Sequence, residues 1–220
     1  MLVLSTIIVS LGLMLNNAAI VIGGMLVTPI LVPILAISMG IVMTDSKVIF
    51  RSVRIMLQSL LIIFVVSIIT TLITPTPEIF DELLARTFIS IGFFYVALAA
   101  GIAAAFAWAR PDLSEAMPGI AISVAVLPPL ATVGIGIALW DAGLAIGGLK
   151  LFAANLLGII IAATFVFSIM GFNKGRKTAQ EEVKKEEKDV IKKEIAKVEK
   201  EAALIEEVQK EVNYNHKSHV

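Results

Sequence analysis

The chain has 220 residues, of which 58% are hydrophobic and 16% are charged, with 18 basic and 18 acidic side chains. Soluble globular domains average about 45–50% apolar and about 25% charged residues, so the composition excludes an ordinary soluble domain and favours a membrane protein. The sequence contains no cysteine, which excludes disulfides, thiol catalysis and thiolate metal sites.

Six apolar segments are candidates for membrane-spanning helices, each of which needs about 20 residues to cross the hydrocarbon core. In chain order they cover about residues 1–15, 22–43, 48–73, 87–109, 118–139 and 143–172. The first is short, roughly 22 Å long at 1.5 Å per residue. Either this span continues through Asn16 and Asn17, or it begins in residues that precede Met1. We expect a transmembrane domain over residues 1–172 and a charged cytoplasmic tail over 173–220.

Basic residues in the short loops predict the orientation, because cytoplasmic loops of membrane proteins are enriched in lysine and arginine. With six spans, three basic regions fall on the same side of the membrane. They contain Lys47, Arg51, Arg54, Arg110, Lys174, Arg176 and Lys177. We therefore expect a multi-pass protein of the cell membrane with both termini in the cytoplasm.

An internal repeat appears when the chain is shifted against itself by 96 residues. Proline, glycine and aspartate then coincide in one register: Pro33 with Pro129, Gly40 with Gly136 and Asp45 with Asp141. Each copy, about residues 1–73 and 87–172, would hold three spans, and an odd number inverts the second copy. The predicted fold is an all-α transmembrane bundle of two inverted three-helix repeats, as in many secondary transporters.

Prolines interrupt the second predicted helix of each repeat. A proline inside a helix removes one N–H donor and displaces the carbonyl four residues earlier. In lipid, such a freed carbonyl is tolerated where protein covers it or where it lines a wet cavity. Matched interruptions in two repeats indicate a binding site, whereas a simple kink repaired by a nearby hydroxyl is the alternative.

The paired proline segments therefore predict a site for a small solute or ion. Its candidate residues are Asn16, Asn17, Thr28, Pro29, Pro33, Ser123, Pro128, Pro129 and Asn155. Two of these assignments have direct alternatives. Asn16 and Asn17 are also typical of a loop or of amides that bond across helices, and Asn155 of a polar contact between packed helices.

Three charged residues near the predicted spans have structural readings that we favour over functional ones. Asp45 and Asp141 precede the third and sixth spans, where aspartate commonly caps a helix N-terminus. Lys150 lies near the start of the sixth span, from which its long side chain can extend to the membrane surface.

The sequence contains no recognisable catalytic constellation. Both histidines lie in the tail, and no metal-binding, phosphate-binding or nucleophile-elbow motif is present. The prediction is a non-enzyme without metal or cofactor. An intramembrane aspartyl mechanism using Asp45 and Asp141 is the alternative.

The tail carries a short heptad pattern within residues 190–212. Its seam positions are Ile191, Ile195, Val198, Ala202, Ile205, Gln209 and Val212. This spacing predicts a coiled coil and hence a homo-oligomer, with isoleucine at both seam positions favouring a trimer. A solvated or partly disordered helix is the alternative, because lysine and glutamate dominate the segment.

Two segments resemble a known family. They are GLMLNNAAIVIGGMLVTPILVPI, residues 12–34, and ISVAVLPPLATVGIGIA, residues 122–138. Together they resemble the uncharacterised hydrophobic-domain family of bacteria and archaea known as domain of unknown function 389, over about residues 4–172. A mild departure is Gly24, where that family usually has alanine. The resemblance implies a multi-span membrane protein and names no substrate.

The sequence thus favours a membrane transporter of a small solute or ion. The alternatives are an oligomeric channel and a non-transporting scaffold or sensor that acts through its coiled tail. The expected partners are the lipid bilayer, a small solute or ion and further copies of the chain, and no nucleic acid is expected.

Overall fold

The computed structural model describes residues 1–74, 81–110 and 126–171, and in these ranges all regular structure is helical. The eight helices are α1 (Leu2–Met14), α2 (Ala18–Leu26), α3 (Leu31–Val42), α4 (Ser46–Ile73), α5 (Asp81–Leu84), α6 (Ile91–Ala109), α7 (Leu127–Ala138) and α8 (Ala142–Ile169). The predicted all-α class is therefore confirmed for the described residues. The predicted coiled coil lies outside them.

Three helices, α4, α6 and α8, are long and apolar enough to cross a membrane. Helices α2 and α3 form a further candidate span, bent by 56° at the break between them. Helices α1 and α7 are apolar but shorter, with 13 and 12 residues. By length and composition the described residues thus contain three or four candidate spans, and the fifth predicted span, residues 118–139, lies partly outside them.

Three corners between consecutive helices share one backbone geometry. At each corner one non-glycine residue adopts the left-handed conformation, a state that costs such residues about 1–2 kcal/mol. These residues are Asn16 (φ 52°), Thr44 (φ 53°) and Trp140 (φ 58°). The next residue donates its N–H to the carbonyl oxygen of a glycine five positions earlier, at 2.9 Å in all three corners. The pairs are Asn17 with Gly12, Asp45 with Gly40 and Asp141 with Gly136.

The same residue then caps the following helix. The Asp45 Oδ1 atom accepts from the N–H groups of Lys47 at 3.0 Å and Val48 at 3.3 Å. The Asp141 Oδ1 atom accepts from the Leu144 N–H at 3.0 Å. Both aspartates are therefore N-caps, as predicted, and satisfy donors that the first turn of a helix leaves free.

The glycines at these corners allow two backbones to approach closely. A Cβ atom on Gly136 would lie 2.5 Å from the Ala145 backbone nitrogen, and one on Gly40 would lie 3.2 Å from the Ile49 nitrogen. A side chain at either position would therefore push the following helix away. Gly136 and Ala145 lie 96 positions after Gly40 and Ile49, respectively, which is the offset of the sequence repeat.

We expect Gly136→Ala to destabilise the protein by about 1–3 kcal/mol, because the added methyl group collides with backbone that cannot rotate away. Gly23→Ala is the matched control, since a Cβ there meets nothing within 4 Å. Unfolding in mixed micelles, followed by tryptophan fluorescence, measures both variants. Equal stability of the two variants would contradict the close contact.

The core forms where the helices of the two halves of the chain exchange contacts. Helix α3 packs against α4 and α8, and helix α7 packs against α8, α4 and α1. Helix α6 lies along α8 through small residues, and a Cβ on Gly101 would lie 2.9 Å from the Ile159 Cα atom. Glycine and alanine at this contact permit the close approach on which helix association in membranes depends.

Candidate functional site

The prolines stand at the beginnings of helices. Pro33 is the third residue of α3, and Pro128 and Pro129 are the second and third residues of α7. The first N–H groups of a helix have no partner within it, so proline in the first turn removes no intrahelical hydrogen bond. The interruption that the sequence predicts in the second span is present as the break between α2 and α3, where the chain bends by 56°. Pro33, Pro128 and Pro129 themselves stand in first turns, where they favour the start of α3 and α7.

Burial separates the four prolines of the predicted site. Pro33, Pro128 and Pro129 are buried, whereas Pro29, in the break between α2 and α3, is exposed. The matched pair Pro33 and Pro129 thus lies inside the protein. Among the described residues, no side chain caps the N-terminus of α3 or α7.

The break between α2 and α3 is repaired locally. The Thr28 hydroxyl donates to the Gly24 carbonyl oxygen at 3.0 Å, and the Thr28 N–H donates to the Met25 carbonyl oxygen at 3.2 Å. Thr28 is buried. Two carbonyl groups at the end of α2 therefore have partners, as expected where a hydroxyl compensates for an interrupted helix.

Asn16 and Asn17 lie in the exposed loop between α1 and α2. The Asn17 Oδ1 atom accepts from the N–H groups of Ala19 at 3.0 Å and Ile20 at 3.2 Å, which makes Asn17 the N-cap of α2. The Asn16 Oδ1 atom accepts from the Glu82 N–H at 3.0 Å. Both amide oxygens thus accept hydrogen bonds from backbone N–H groups, as expected if the two residues form a loop.

The last two predicted site residues lie in different parts of the chain. Asn155 is buried in α8, with 5% of its surface exposed. Ser123 lies outside the described residues. The structure therefore buries Asn155 and the matched prolines, and places the two asparagines of the first loop at the surface.

A buried hydrogen-bond chain that the sequence reasoning missed joins three helices. The Ser10 hydroxyl in α1 donates to the Ser67 Oγ atom in α4 at 3.2 Å. The Ser67 hydroxyl donates to the Ala131 carbonyl oxygen in α7 at 2.8 Å. Both serines are fully buried. We call Ser10, Ser67 and the Ala131 carbonyl group the hydroxyl network; it lies one turn beyond the proline turn of α7.

A second serine contact joins α3 to α8. The Ser38 hydroxyl lies 3.2 Å from the Ile34 carbonyl oxygen and 3.4 Å from the Ile160 carbonyl oxygen. At the corresponding crossing of α7 and α4, a Cβ on Gly134 would lie 3.2 Å from the Phe64 carbonyl oxygen. Gly134 lies 96 positions after Ser38, and Phe64 lies 96 positions before Ile160, which is the offset of the sequence repeat. The two crossings therefore bring equivalent positions of the repeat into contact.

The chemistry of the hydroxyl network is that of uncharged oxygen atoms. Ser67 donates its proton to a carbonyl group and accepts one from Ser10, so the free positions of the network are mostly lone pairs. Among the described residues, no group of three histidine, cysteine or acidic side chains is placed to hold a metal ion. The network can therefore accept hydrogen bonds or surround a hard cation, and it offers no acid or base.

Surface grooves that described residues line include three at the ends or crossings of helices. They have volumes of about 530 Å³ at the start of α4, about 430 Å³ between α1 and α4, and about 290 Å³ at the corner of α7 and α8. None of these three is lined by a residue of the predicted site or by the hydroxyl network.

The described residues form an all-helical architecture with several helices able to span a membrane and with hydroxyl groups buried among them. Residues 25–161 match the family described as Domain of unknown function (DUF389), and the chain belongs to this family. The resemblance seen in the two proline segments is thereby confirmed.

A curated relative extends this comparison. The chain is 29% identical over 185 residues to Uncharacterized protein MJ0678 of Methanocaldococcus jannaschii. The alignment covers 84% of this chain and 58% of that relative, so the chain spans little more than half of the relative's length. No solved structure matches the chain at a significant level.

Proposed function

We propose that the protein is a membrane transporter of a small uncharged solute or a small cation. The observation that carries this proposal is the hydroxyl network, which places polar groups from α1, α4 and α7 in the interior of an apolar bundle. Hydroxyl groups between membrane helices hold the helices together, and at the interface of two repeats they also line substrate sites. The matched prolines start the two helices, α3 and α7, that pack at this core.

An inverted repeat is part of the proposal. The α3–α4 and α7–α8 corners share their left-handed residue, their aspartate cap and their close glycine contact. Helix α3 packs on α8 while α7 packs on α4, which is the exchange expected of two interlocked halves. In secondary transporters, substrates bind at such an interface between repeats.

The substrate class follows from the atoms that surround the interface. An incoming hydroxyl, amide or cation can replace the Ser10–Ser67 bond, because a serine hydroxyl rotates freely. The network contains no cationic side chain that would offset the charge of an anion. The proposed substrate is therefore a neutral hydrogen-bonding molecule or a small cation, bound without a cofactor and without chemical conversion.

Flux measurements test this proposal. We expect Ser67→Ala to lower uptake into proteoliposomes by about ten-fold, the effect of losing roughly 1.4 kcal/mol of hydrogen bonding. Suitable probes are radiolabelled sodium, rubidium and glycerol. Ser59→Ala is the matched control, because the Ser59 hydroxyl donates to Ile55 within its own helix. Uptake no faster than in empty liposomes for every probe would reject transport of these classes.

The assembly and orientation remain part of the proposal. The heptad pattern of residues 190–212 predicts a homo-oligomer, with a trimer favoured, and the basic loops predict cytoplasmic termini. Light scattering of the detergent-solubilised protein measures the first, and protease access to the tail in oriented vesicles measures the second. A channel on the oligomer axis would give the same oligomer but would not depend on Ser67.

A further inference from the structure

The start of α4 carries a compact group of cations. Lys47, Arg51 and Arg54, together with Ser46 and Phe50, line a groove of about 530 Å³. The Arg54 guanidinium carbon lies 5.6 Å from the centroid of the Phe50 ring, which is cation–π distance. We call these five residues the α4 basic groove.

Helical spacing places the cations on one face. Lys47, Phe50, Arg51 and Arg54 stand at positions i, i+3, i+4 and i+7, which are neighbours on a helix surface. All four are exposed. Among the described residues, Arg86 and Glu82 form an ion pair that lies elsewhere in the chain. The groove thus concentrates three positive charges beside one carboxylate, that of Asp45, which caps α4.

The same face continues along α4 as an apolar stripe. Leu57, Leu61 and Leu72 follow at helical spacing and are 57%, 64% and 69% exposed. A surface that is cationic at one end and apolar along the rest has the polarity of one phospholipid molecule. Free phosphate would be bound by the cations alone and would leave the apolar stripe uncovered.

The length of α4 sets the depth of the cations. Residues 55–73 rise about 28 Å at 1.5 Å per residue, which nearly matches the hydrocarbon thickness of about 30 Å. When this part of α4 fills the hydrocarbon layer, residues 47–54 extend about 12 Å beyond it. That distance places the basic groove among the lipid headgroups.

We propose that the α4 basic groove binds the phosphate headgroup of an anionic phospholipid. Lys47, Arg51 and Arg54 provide the charge, and Phe50 holds the Arg54 guanidinium against its ring. The acyl chains lie along the Leu57, Leu61 and Leu72 stripe. Basic segments at the membrane surface bind anionic lipids through charge in this way. The proposal is independent of transport.

Lipid retention measured by native mass spectrometry tests this site on the full-length protein. The probes are dioleoyl phosphatidylglycerol and dioleoyl phosphatidylcholine, added in equal amounts to detergent micelles. We expect a preference for phosphatidylglycerol that falls by about ten-fold or more in the triple variant Lys47→Gln, Arg51→Gln, Arg54→Gln. An equal preference in the wild-type and triple-variant proteins would overturn the proposal.

Arg110→Gln is the matched control. Arg110 also lies 5.6 Å from an aromatic ring, that of Phe106, but it is not part of the α4 basic groove. We expect this variant to keep the wild-type lipid preference. Equal losses in both variants would show a general effect of charge and would overturn a specific site. Unchanged melting temperatures establish that the variants remain folded.

Two further measurements distinguish the other possible occupants. Inorganic phosphate at the concentration of the lipid is expected not to displace phosphatidylglycerol, and displacement would assign the groove to free phosphate. A carbodiimide cross-link from Lys47 to a glutamate of residues 173–220, detected by peptide mapping, would assign it to the protein's own tail. Either outcome would overturn the lipid site.

Discussion

Replacing Pro33 and Pro129 together by alanine is expected to destabilise the protein by about 2–6 kcal/mol, because each substitution creates a buried N–H group that costs about 1–3 kcal/mol without an acceptor. Both prolines are buried in the first turn of a helix, where an N–H has no intrahelical partner. The sign of the effect is informative. A proline that disrupts a helix interior would give the opposite result, since alanine there gains about 3 kcal/mol.

Pro29→Ala is the control for this prediction, because Pro29 is exposed in the loop before α3. We expect its effect to stay within about 0.5 kcal/mol, as at most surface positions. The measurement is unfolding in dodecylmaltoside–dodecylsulfate micelles, followed by the fluorescence of Trp108 and Trp140. A double variant more stable than the wild-type protein would show that the prolines interrupt helices and do not begin them.

Long uninterrupted apolar runs made α4, α6 and α8 predictable from the sequence. Nothing in those segments competes with the helix, and their ends carry strong signals: Asp45 and Asp141 as caps, and Arg110 followed by proline. The break between α2 and α3 was predictable too, because Pro29 and Pro33 exclude an unbroken helix between them. The position of the prolines within their helices was not predictable. The sequence does not show where each helix begins, so it does not distinguish a first-turn proline from an interior one.

The hydroxyl network could not be predicted because a serine in an apolar helix has two ways to satisfy its hydroxyl group. Thr70 donates to the Val66 carbonyl oxygen of its own helix at 2.8 Å, and Ser67, one turn away, donates to Ala131 in another helix. The two residues look alike in sequence. The helix that packs against each face decides between the alternatives, and that is a property of the tertiary structure. The grouping of Ser67, Thr70 and Thr71 was the available signal.

Asn16 and Asn17 show the converse problem. Two amides in an apolar sequence stand out as a candidate site, yet the same residues are preferred at left-handed and N-cap positions. The glycine four residues earlier resolves the ambiguity. Gly12 precedes Asn16 as Gly40 precedes Thr44 and Gly136 precedes Trp140, and each combination forms the same corner. In this chain, a glycine followed five positions later by Asn or Asp predicts the corner.

Gly148→Leu is expected to have a large effect on folding, about 3 kcal/mol or more, because overpacking of a close helix contact forces the backbone to move. A Cβ atom on Gly148 would lie 2.7 Å from the Pro129 carbonyl oxygen and 3.3 Å from the Thr132 Cβ atom. The contact joins α8 to the first turn of α7, next to the hydroxyl network. A leucine here would push the proline turn away and separate Ala131 from Ser67.

Ala153→Leu provides the comparison, since Ala153 is exposed on the same helix and leucine there should cost less than about 0.5 kcal/mol. Micelle unfolding measures both variants, and proteoliposome flux measures what remains of transport. If Gly148→Leu unfolds like the wild-type protein, α8 does not hold the α7 proline turn at this distance. If it folds with lower stability and also loses flux while Ala153→Leu keeps both, then the contact that starts α7 also supports the site between α1, α4 and α7.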